Sequence, residues 1–389
     1  MATKSKIINP FSRVSGLEVF YDLVFVLALS RVRTSVLGNA DLGGLIKLLL
    51  LALLIWWAWV GFSWVGSLIR LDVPWVTITF MVSMGATFIV AVWMPGWYQG
   101  GAVAVTVAVA YLVVRLTYLV LLRAARHESD AIRLAYERSR WSVLLTAFAL
   151  VIGAFVGGVV QVVLLLIAVC YEFIRPRLTK NTAFPFSVSH FTERYGLVVM
   201  AAIGEGLLAL GATASGFSPS AQLLVYCIVG FVIDCLLWSA YFRVLSPQLR
   251  RSLKDVDPAT AGSQARDVFS YLHLFFVFGL VLLASARTDL VTSAATTGLS
   301  GTPAVAGVGI AAAGWLAISA GCVLLRWRSH LAIPARTWGA LGASLLFAAS
   351  TRFASLWWIL LLGLAIAALL AFPTRDESVR RAQKWSSSK

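Results

Sequence analysis

Glu193 to Gly211, ERYGLVVMAAIGEGLLALG, decides how the chain is read. At about 1.5 Å of rise per residue, the stretch is long and apolar enough to approach the thickness of a bilayer's hydrocarbon core. Yet it carries Glu193 and Arg194 at one end and Glu205 deep inside. An ionisable group inside a membrane is costly, so a retained one marks a functional site or a lock between helices. A counterpart near the N-terminus, Leu17 to Val36, carries Glu18, Asp22, Arg31 and Arg33. These two helices are expected at the centre of the molecule.

The surrounding composition agrees. Of 389 residues, 60% are hydrophobic and only 13% charged, against about 25% charged in an ordinary soluble domain. Mean hydropathy is +0.86. A soluble protein of this make-up would expose far too much apolar surface. The formal net charge of +15 does not point to nucleic acid, because the basic residues lie in short segments between apolar runs. That is the topogenic pattern of an inner-membrane protein, with attraction to anionic lipid as a secondary consequence. Cys170, Cys227, Cys235 and Cys322 all sit in apolar runs without CxxC spacing, which predicts reduced, packed thiols and no metal site. The opening MATKSKIINPFSR is basic but is followed by an acidic helix, so no cleaved signal peptide is expected and the first helix is retained.

Twelve apolar segments can be read. The first six are Leu17 to Val36, Gly43 to Ile69, Trp75 to Trp93, Gly101 to Leu122, Trp141 to Val156 and Gly158 to Ile174. The second six are Val188 to Ala212, Ala221 to Phe242, Val268 to Ala286, Val305 to Leu325, Trp338 to Ser350 and Phe353 to Phe372. Loops after even-numbered segments hold the cations: Arg70; Arg123, Arg126, Arg133, Arg138 and Arg140; Arg175, Arg177 and Lys180; Arg250, Arg251, Lys254 and Arg266; Arg328 and Arg336. Loops around Pro95, Gly157 and Ser215 have no Lys or Arg. The alternation predicts both termini in the cytoplasm.

The chain also aligns with itself. Tyr21 to Ala28 (YDLVFVLA) lies over Tyr195 to Ala202 (YGLVVMAA), Trp64 over Trp238 at the same offset, and Arg115 over Arg326 after an insertion. The expected fold is therefore an all-α polytopic membrane protein of about twelve transmembrane helices, built as two parallel six-helix repeats. Residues 1–180 form the first repeat, 181–372 the second and 373–389 a polar cytoplasmic tail. An even number of spans per copy relates them by a pseudo-twofold axis along the membrane normal.

Helical geometry sharpens the charge pattern. Glu18 and Asp22 are one turn apart on one face. Asp22 and Arg33 are eleven residues apart, as are Arg194 and Glu205, and eleven steps of 100° return to within about 20° of the same face. The first helix runs acid then base, the seventh base then acid. Pairing of Asp22 with Arg194 and of Arg33 with Glu205 would neutralise both. Asp234, His190, His273, Arg115 and Arg326 are further members of a candidate cluster. Arg115, Arg326 and Arg243 also read as side chains that snorkel to the interface, and His273 as a packing histidine. Trp56, Trp57, Trp59 and Trp64 form an aromatic stripe for packing and interface anchoring, or for lining a ligand. Gly204, Gly206 and Gly211 permit close helix approach around Glu205.

The motifs SGLEVFYDLVFVLAL, WWAWVGFSW, HFTERYGLVVMAAIGEGLLALG and YLHLFFVFGLVLLASA resemble those of the bacterial low temperature requirement A family. The likeness rests on Glu18 and Asp22, on His190, Glu193, Arg194, Gly204 and Glu205, and on Tyr271 and His273. It implies a polytopic membrane protein named for a growth phenotype. The chain departs from the family pattern at GSLIRLD, which keeps only Arg70 and Asp72 of an Asn-Arg-acid motif, and at Arg243, where an acid is usual.

Twelve spans, parallel halves and acids at the repeat interface fit a secondary transporter or ion-coupled permease, with the bilayer and a small solute, proton or ion as partners. An intramembrane enzyme acting on a lipid or isoprenoid is the alternative, with His190, Glu193 and His273 as an acid–base group. It has no HExxH, GxSxG or phosphate-binding Gly loop behind it. A membrane-state sensor or structural partner is the third reading. No cofactor is implied.

Overall fold

The computed structural model describes residues 14–31, 42–178, 186–300, 303, 305–351 and 355–372. Arg33, the N-terminal MATKSKIINPFSR and the tail at 373–389 lie outside them. The described residues are helical throughout, with short turns between. In order they are α1 (Gly16–Arg31), α2 (Leu42–Gly66), α3 (Pro74–Trp93, continued by a 3-10 turn over Met94–Gln99), α4 (Gly101–Ala125), α5 (Asp130–Val156), α6 (Gly158–Leu178) and α7 (Val188–Ala214). There follow α8 (Ala221–Trp238, a π-helical stretch at Ser239–Leu245, then Ser246–Lys254) and α9 (Pro258–Ala265, a π-helical stretch at Arg266–Leu272, then His273–Thr296). The last three are α10 (Val305–Arg328), α11 (Ala335–Ser350) and α12 (Leu356–Ala371).

Nine of these, α2 to α10, are long and apolar enough to cross a membrane. Described lengths of 16 residues leave α1, α11 and α12 short, at about 24 Å against a hydrocarbon core of about 30 Å. The outer surface suits lipid: Phe155, Val159, Leu178 and Leu208 are all more than two-thirds exposed, an arrangement that water would penalise.

Local chemistry places the helix ends. Pro74 opens α3, where a missing N–H costs nothing. Ser129 and Ser220 cap α5 and α8, each accepting a hydrogen bond from the backbone N–H three residues on, at 3.2 Å. Between α5 and α6, Gly157 and Gly158 both adopt positive φ, 70° and 57°. Two consecutive left-handed residues reverse the chain in a way that side chains resist, which gives physical form to the Gly-rich bend. The π-helical stretches were not legible in the hydrophobic pattern, since one extra residue per turn leaves apolar runs apolar.

The chain forms two compact units. One comprises Met1–Ala201 with Val256–Ser270, the other Ala202–Asp255 with Tyr271–Lys389. In the first, α1 packs on α2 and α3, α4 bridges α3 and α5, and α2 also meets α6. In the second, α9 packs along α10 through facing glycines: a Cβ on Gly279 would lie 2.8 Å from the Gly314 carbonyl oxygen. Small residues here let two backbones approach closely.

Candidate functional site

Helix α2 has two working faces within the first unit. Trp56, Trp59, Phe62 and Ser63 turn toward α1 and α7, where they are fully or almost fully buried. On that face lies a dense charge centre. The Arg194 guanidinium donates through Nη1 to Glu18 Oε1 at 2.8 Å and to the Phe62 carbonyl at 3.1 Å, and through Nη2 to Asp22 Oδ1 at 3.4 Å. His190 Nε2 meets Glu18 Oε2 at 3.1 Å, and the Ser15 backbone N–H donates to the same oxygen at 2.9 Å. Trp59 Nε1 donates to Asp22 Oδ1 at 2.7 Å. The guanidinium also lies over the rings of Tyr21 and Trp59, 5.9 and 5.8 Å from their centroids.

Gly66 makes room for this centre. A Cβ there would lie 2.5 Å from both Arg194 Nη1 and Glu18 Oε1. Helix α2 therefore ends on a residue whose missing side chain is the space the ion pair occupies. The cavity beside the centre, between Tyr21, Trp59 and Tyr111, measures only about 10 Å³, about the volume of one water. Asp22 Oδ2, Arg194 Nε and His190 Nδ1 are buried without hydrogen-bond partners among the described residues.

Trp57, Gly61 and Trp64 line a cavity of about 210 Å³ on the other face of α2. Its walls come from α4, α5, α6 and the start of α9. Inside, Arg115 Nη2 donates to Glu172 Oε1 at 2.6 Å, and Thr146 Oγ1 donates to the same oxygen at 3.0 Å. Arg115 is buried rather than snorkelling, because α6 brings it an acid. Arg138, Arg175 and Arg266 also line the cavity. Arg266 is held by Asp267 and by the Pro176 carbonyl, at 3.0 and 2.8 Å. The π-helical stretch of α9 delivers Ser270 to the same wall, where its Oγ accepts from Trp64 Nε1 at 3.0 Å and its carbonyl from Trp56 Nε1 at 2.7 Å.

The second unit holds its own buried ion pair. Arg287 grips Asp234 through both guanidinium nitrogens, with Nη1 2.6 Å from Asp234 Oδ2, and donates to the Gly206 carbonyl at 2.9 Å. Gly206 thus accommodates an arginine. Tyr241 and His273 hydrogen-bond at 2.9 Å, so His273 sits in a side-chain pair as a packing histidine would. Arg326 is buried and donates to the Ala332 carbonyl at 3.0 Å, which rules out snorkelling for it too; Arg243 is exposed. Among the described residues no group of three His, Cys, Asp or Glu could hold a metal ion.

Of the charges singled out in the sequence, Glu18, Asp22, His190 and Arg194 come together. Glu193 does not: it is exposed, 100° around α7 from Arg194. Glu205 is half-buried, and its expected partner Arg33 lies outside the described residues. The departure GSLIRLD closes on itself, Arg70 Nη2 pairing with Asp72 Oδ2 at 2.5 Å and holding that exposed carboxyl below its ordinary range by hydrogen bonding. Sequence reading missed Glu172, Arg287 and Gly66. The first two stand at the ends of the apolar segments as read from the sequence, where an ionisable residue looks interfacial; Glu172 is nonetheless the only acid in its apolar segment.

The family described as bacterial low temperature requirement A protein matches residues 13–372. An uncharacterized protein of Rhizobium meliloti (strain 1021) is 25% identical over 283 residues, covering 70% of this chain and 68% of the relative. No solved structure matches.

Proposed function

This chain belongs to the bacterial low temperature requirement A family, and from that premise and its buried charges we propose that this multi-pass membrane protein is an ion-coupled secondary permease. In this reading it crosses the bacterial inner membrane twelve times with both termini in the cytoplasm. Residues 1–180 and 181–372 act as parallel repeats, and 373–389 as a cytoplasmic tail.

One observation carries the proposal: Glu18 and Asp22 share a single guanidinium, Arg194, in a buried centre where His190 contacts Glu18. Two carboxylates and one guanidinium leave an excess negative charge unless a proton is added. In a low-dielectric site that imbalance is expensive. A proton on Asp22, whose Oδ2 has no partner among the described residues, or on His190 neutralises it. Releasing that proton restores the charge and favours an arrangement in which water or a cation reaches the centre. Such a linkage is what coupling requires: a ligand shifts a conformational equilibrium only through its differential affinity for the two states. Glu205, with Arg33 as its counter-charge, is proposed as a second acid of the same kind.

The test is proton movement. Purified protein in liposomes loaded with a pH-sensitive dye should show solute-dependent proton flux that Asp22→Asn abolishes. Full flux in Asp22→Asn would sink the coupling role, and full flux in Glu205→Gln would remove that acid from it.

A further inference from the structure

Four arginines face one cavity, and the acids nearby do not balance them. Glu172 is engaged by Arg115 and Asp267 by Arg266. Arg138 and Arg175 are left. Each is only partly exposed, and they lie within electrostatic reach of one another. Neither has a hydrogen-bonded or ion-paired partner among the described residues, and Arg175 Nε is buried. Two like charges held in one partly buried mouth repel each other and attract an anion.

The interior adds a second requirement. Arg115 is almost fully buried yet its Nε has no hydrogen-bond partner, and the same holds for Glu172 Oε2. Both groups line the cavity. The unused donors and the one unused carboxylate acceptor thus lie at its wall with almost no exposed surface of their own, and an anion reaches them by shifting these side chains. A guanidinium binds phosphate oxygens in pairs, with charge-assisted hydrogen bonds. The carboxylate admits only an anion that can itself donate, such as a phosphate that keeps an O–H. Sulfate and phosphodiesters cannot donate at pH 7.

We propose that this cavity is a binding site for a phosphomonoester-type anion, with Arg138 and Arg175 receiving its charge at the mouth and Arg115 and Glu172 reading its oxygens within. The volume of about 210 Å³ holds a phosphate group and its first waters. Trp57, Trp64 and Tyr118 on the wall suit an apolar or sugar-like remainder. The shared chemistry covers inorganic phosphate and the headgroup of phosphatidate. The site extends the permease reading by naming the anion its cavity takes, and rests on that reading only for any link from binding to movement.

The experiment is equilibrium binding to the full chain in phosphatidylcholine nanodiscs. One arm titrates radiolabelled inorganic phosphate against sulfate. The other compares retention of phosphatidate with that of phosphatidylmethanol by native mass spectrometry. The expected result is one phosphate or one phosphatidate per chain, with the non-donating competitor about tenfold weaker or worse, the effect of one charge-assisted hydrogen bond. Saturation by phosphate identifies a soluble ligand; selective phosphatidate retention identifies a lipid. Arg175→Gln or Arg138→Gln should weaken binding about tenfold. Ala135→Trp keeps every charge but fills the cavity, and should abolish binding. Arg133→Gln, outside the cavity and paired with Asp130, should change nothing.

Binding of neither ligand, sulfate binding as tight as phosphate, or binding that survives both Arg175→Gln and Ala135→Trp would overturn the proposal. Phosphate binding without proton-coupled flux would contradict the permease reading alone. Proton-coupled flux without phosphate or phosphatidate binding would contradict this site alone.

Discussion

The two faces of α2 treat charge in opposite ways. Toward α1 and α7, Glu18, Asp22, His190 and Arg194 are packed against Tyr21, Trp59 and Phe62 with a neighbouring void of about 10 Å³. Toward α4, α5 and α6, Arg115 and Glu172 form an equally buried pair, but beside a cavity of about 210 Å³. The first face ties helices together. The second leaves arginines in a space that something else can enter. Burial of an ionisable group therefore does not by itself identify a ligand site; unspent hydrogen-bonding capacity next to open volume does.

Matched substitutions on the two faces can break this comparison. The largest difference is expected between Arg194→Met and Arg115→Met. Losing Arg194 strands two carboxylates beside a void of only about 10 Å³, a cost of about 3–5 kcal/mol. Losing Arg115 strands Glu172 beside a cavity that water can fill, for about 1–2 kcal/mol. Thermal unfolding of both variants in detergent measures the gap, and equal losses would erase the distinction. A double reversal, Asp22→Arg with Arg194→Asp, should recover part of what each single reversal loses.

A smaller contrast lies in the glycines. Gly66→Ala places a methyl 2.5 Å from Arg194 and Glu18 and should cost about 1–3 kcal/mol through overpacking. Gly61→Ala meets only the Tyr118 ring, at 3.2 Å, and that ring borders the cavity and can yield. Its effect should stay within about 0.5 kcal/mol, helped by the better helix propensity of alanine. The smallest contrast is between tryptophans. Trp59→Phe deprives buried Asp22 of a donor and should cost about 1–2 kcal/mol. Trp64→Phe releases Ser270 at a cavity wall, with an expected cost below about 1 kcal/mol.

Much of the dry face was legible in the sequence. Glu18 and Asp22 stand one turn apart in an apolar helix, and Arg194 is the cation that a repeated motif aligns near them. Physical cost alone demanded that they find partners. The cavity was not legible, for three reasons. Its arginines belong to three loops that read as topogenic charge, and nothing in a hydrophobic pattern says that loop ends converge. Arg115 and Glu172 stand toward one end of their apolar segments, from which a long side chain ordinarily snorkels, and only folding brings the two together. The wall that carries Ser270 and Arg266 depends on a π-helical stretch, which periodicity reads as plain helix. Gly66 was hidden for a different reason: a glycine's reason for being there is the volume of its neighbours.

The division made by α2 can be measured directly by thiol accessibility. In a background with Cys170, Cys227, Cys235 and Cys322 replaced, Ala135→Cys reports on the cavity and Ser63→Cys on the dry face. Both are challenged with a membrane-impermeant, sulfonate-bearing thiol reagent in inside-out vesicles. Rapid labelling is expected at Ala135→Cys, slowed by phosphate or phosphatidate, and far slower labelling at Ser63→Cys until the protein is denatured. Equal rates at the two positions in the folded protein, or an Ala135→Cys that stays unreactive, would contradict the division.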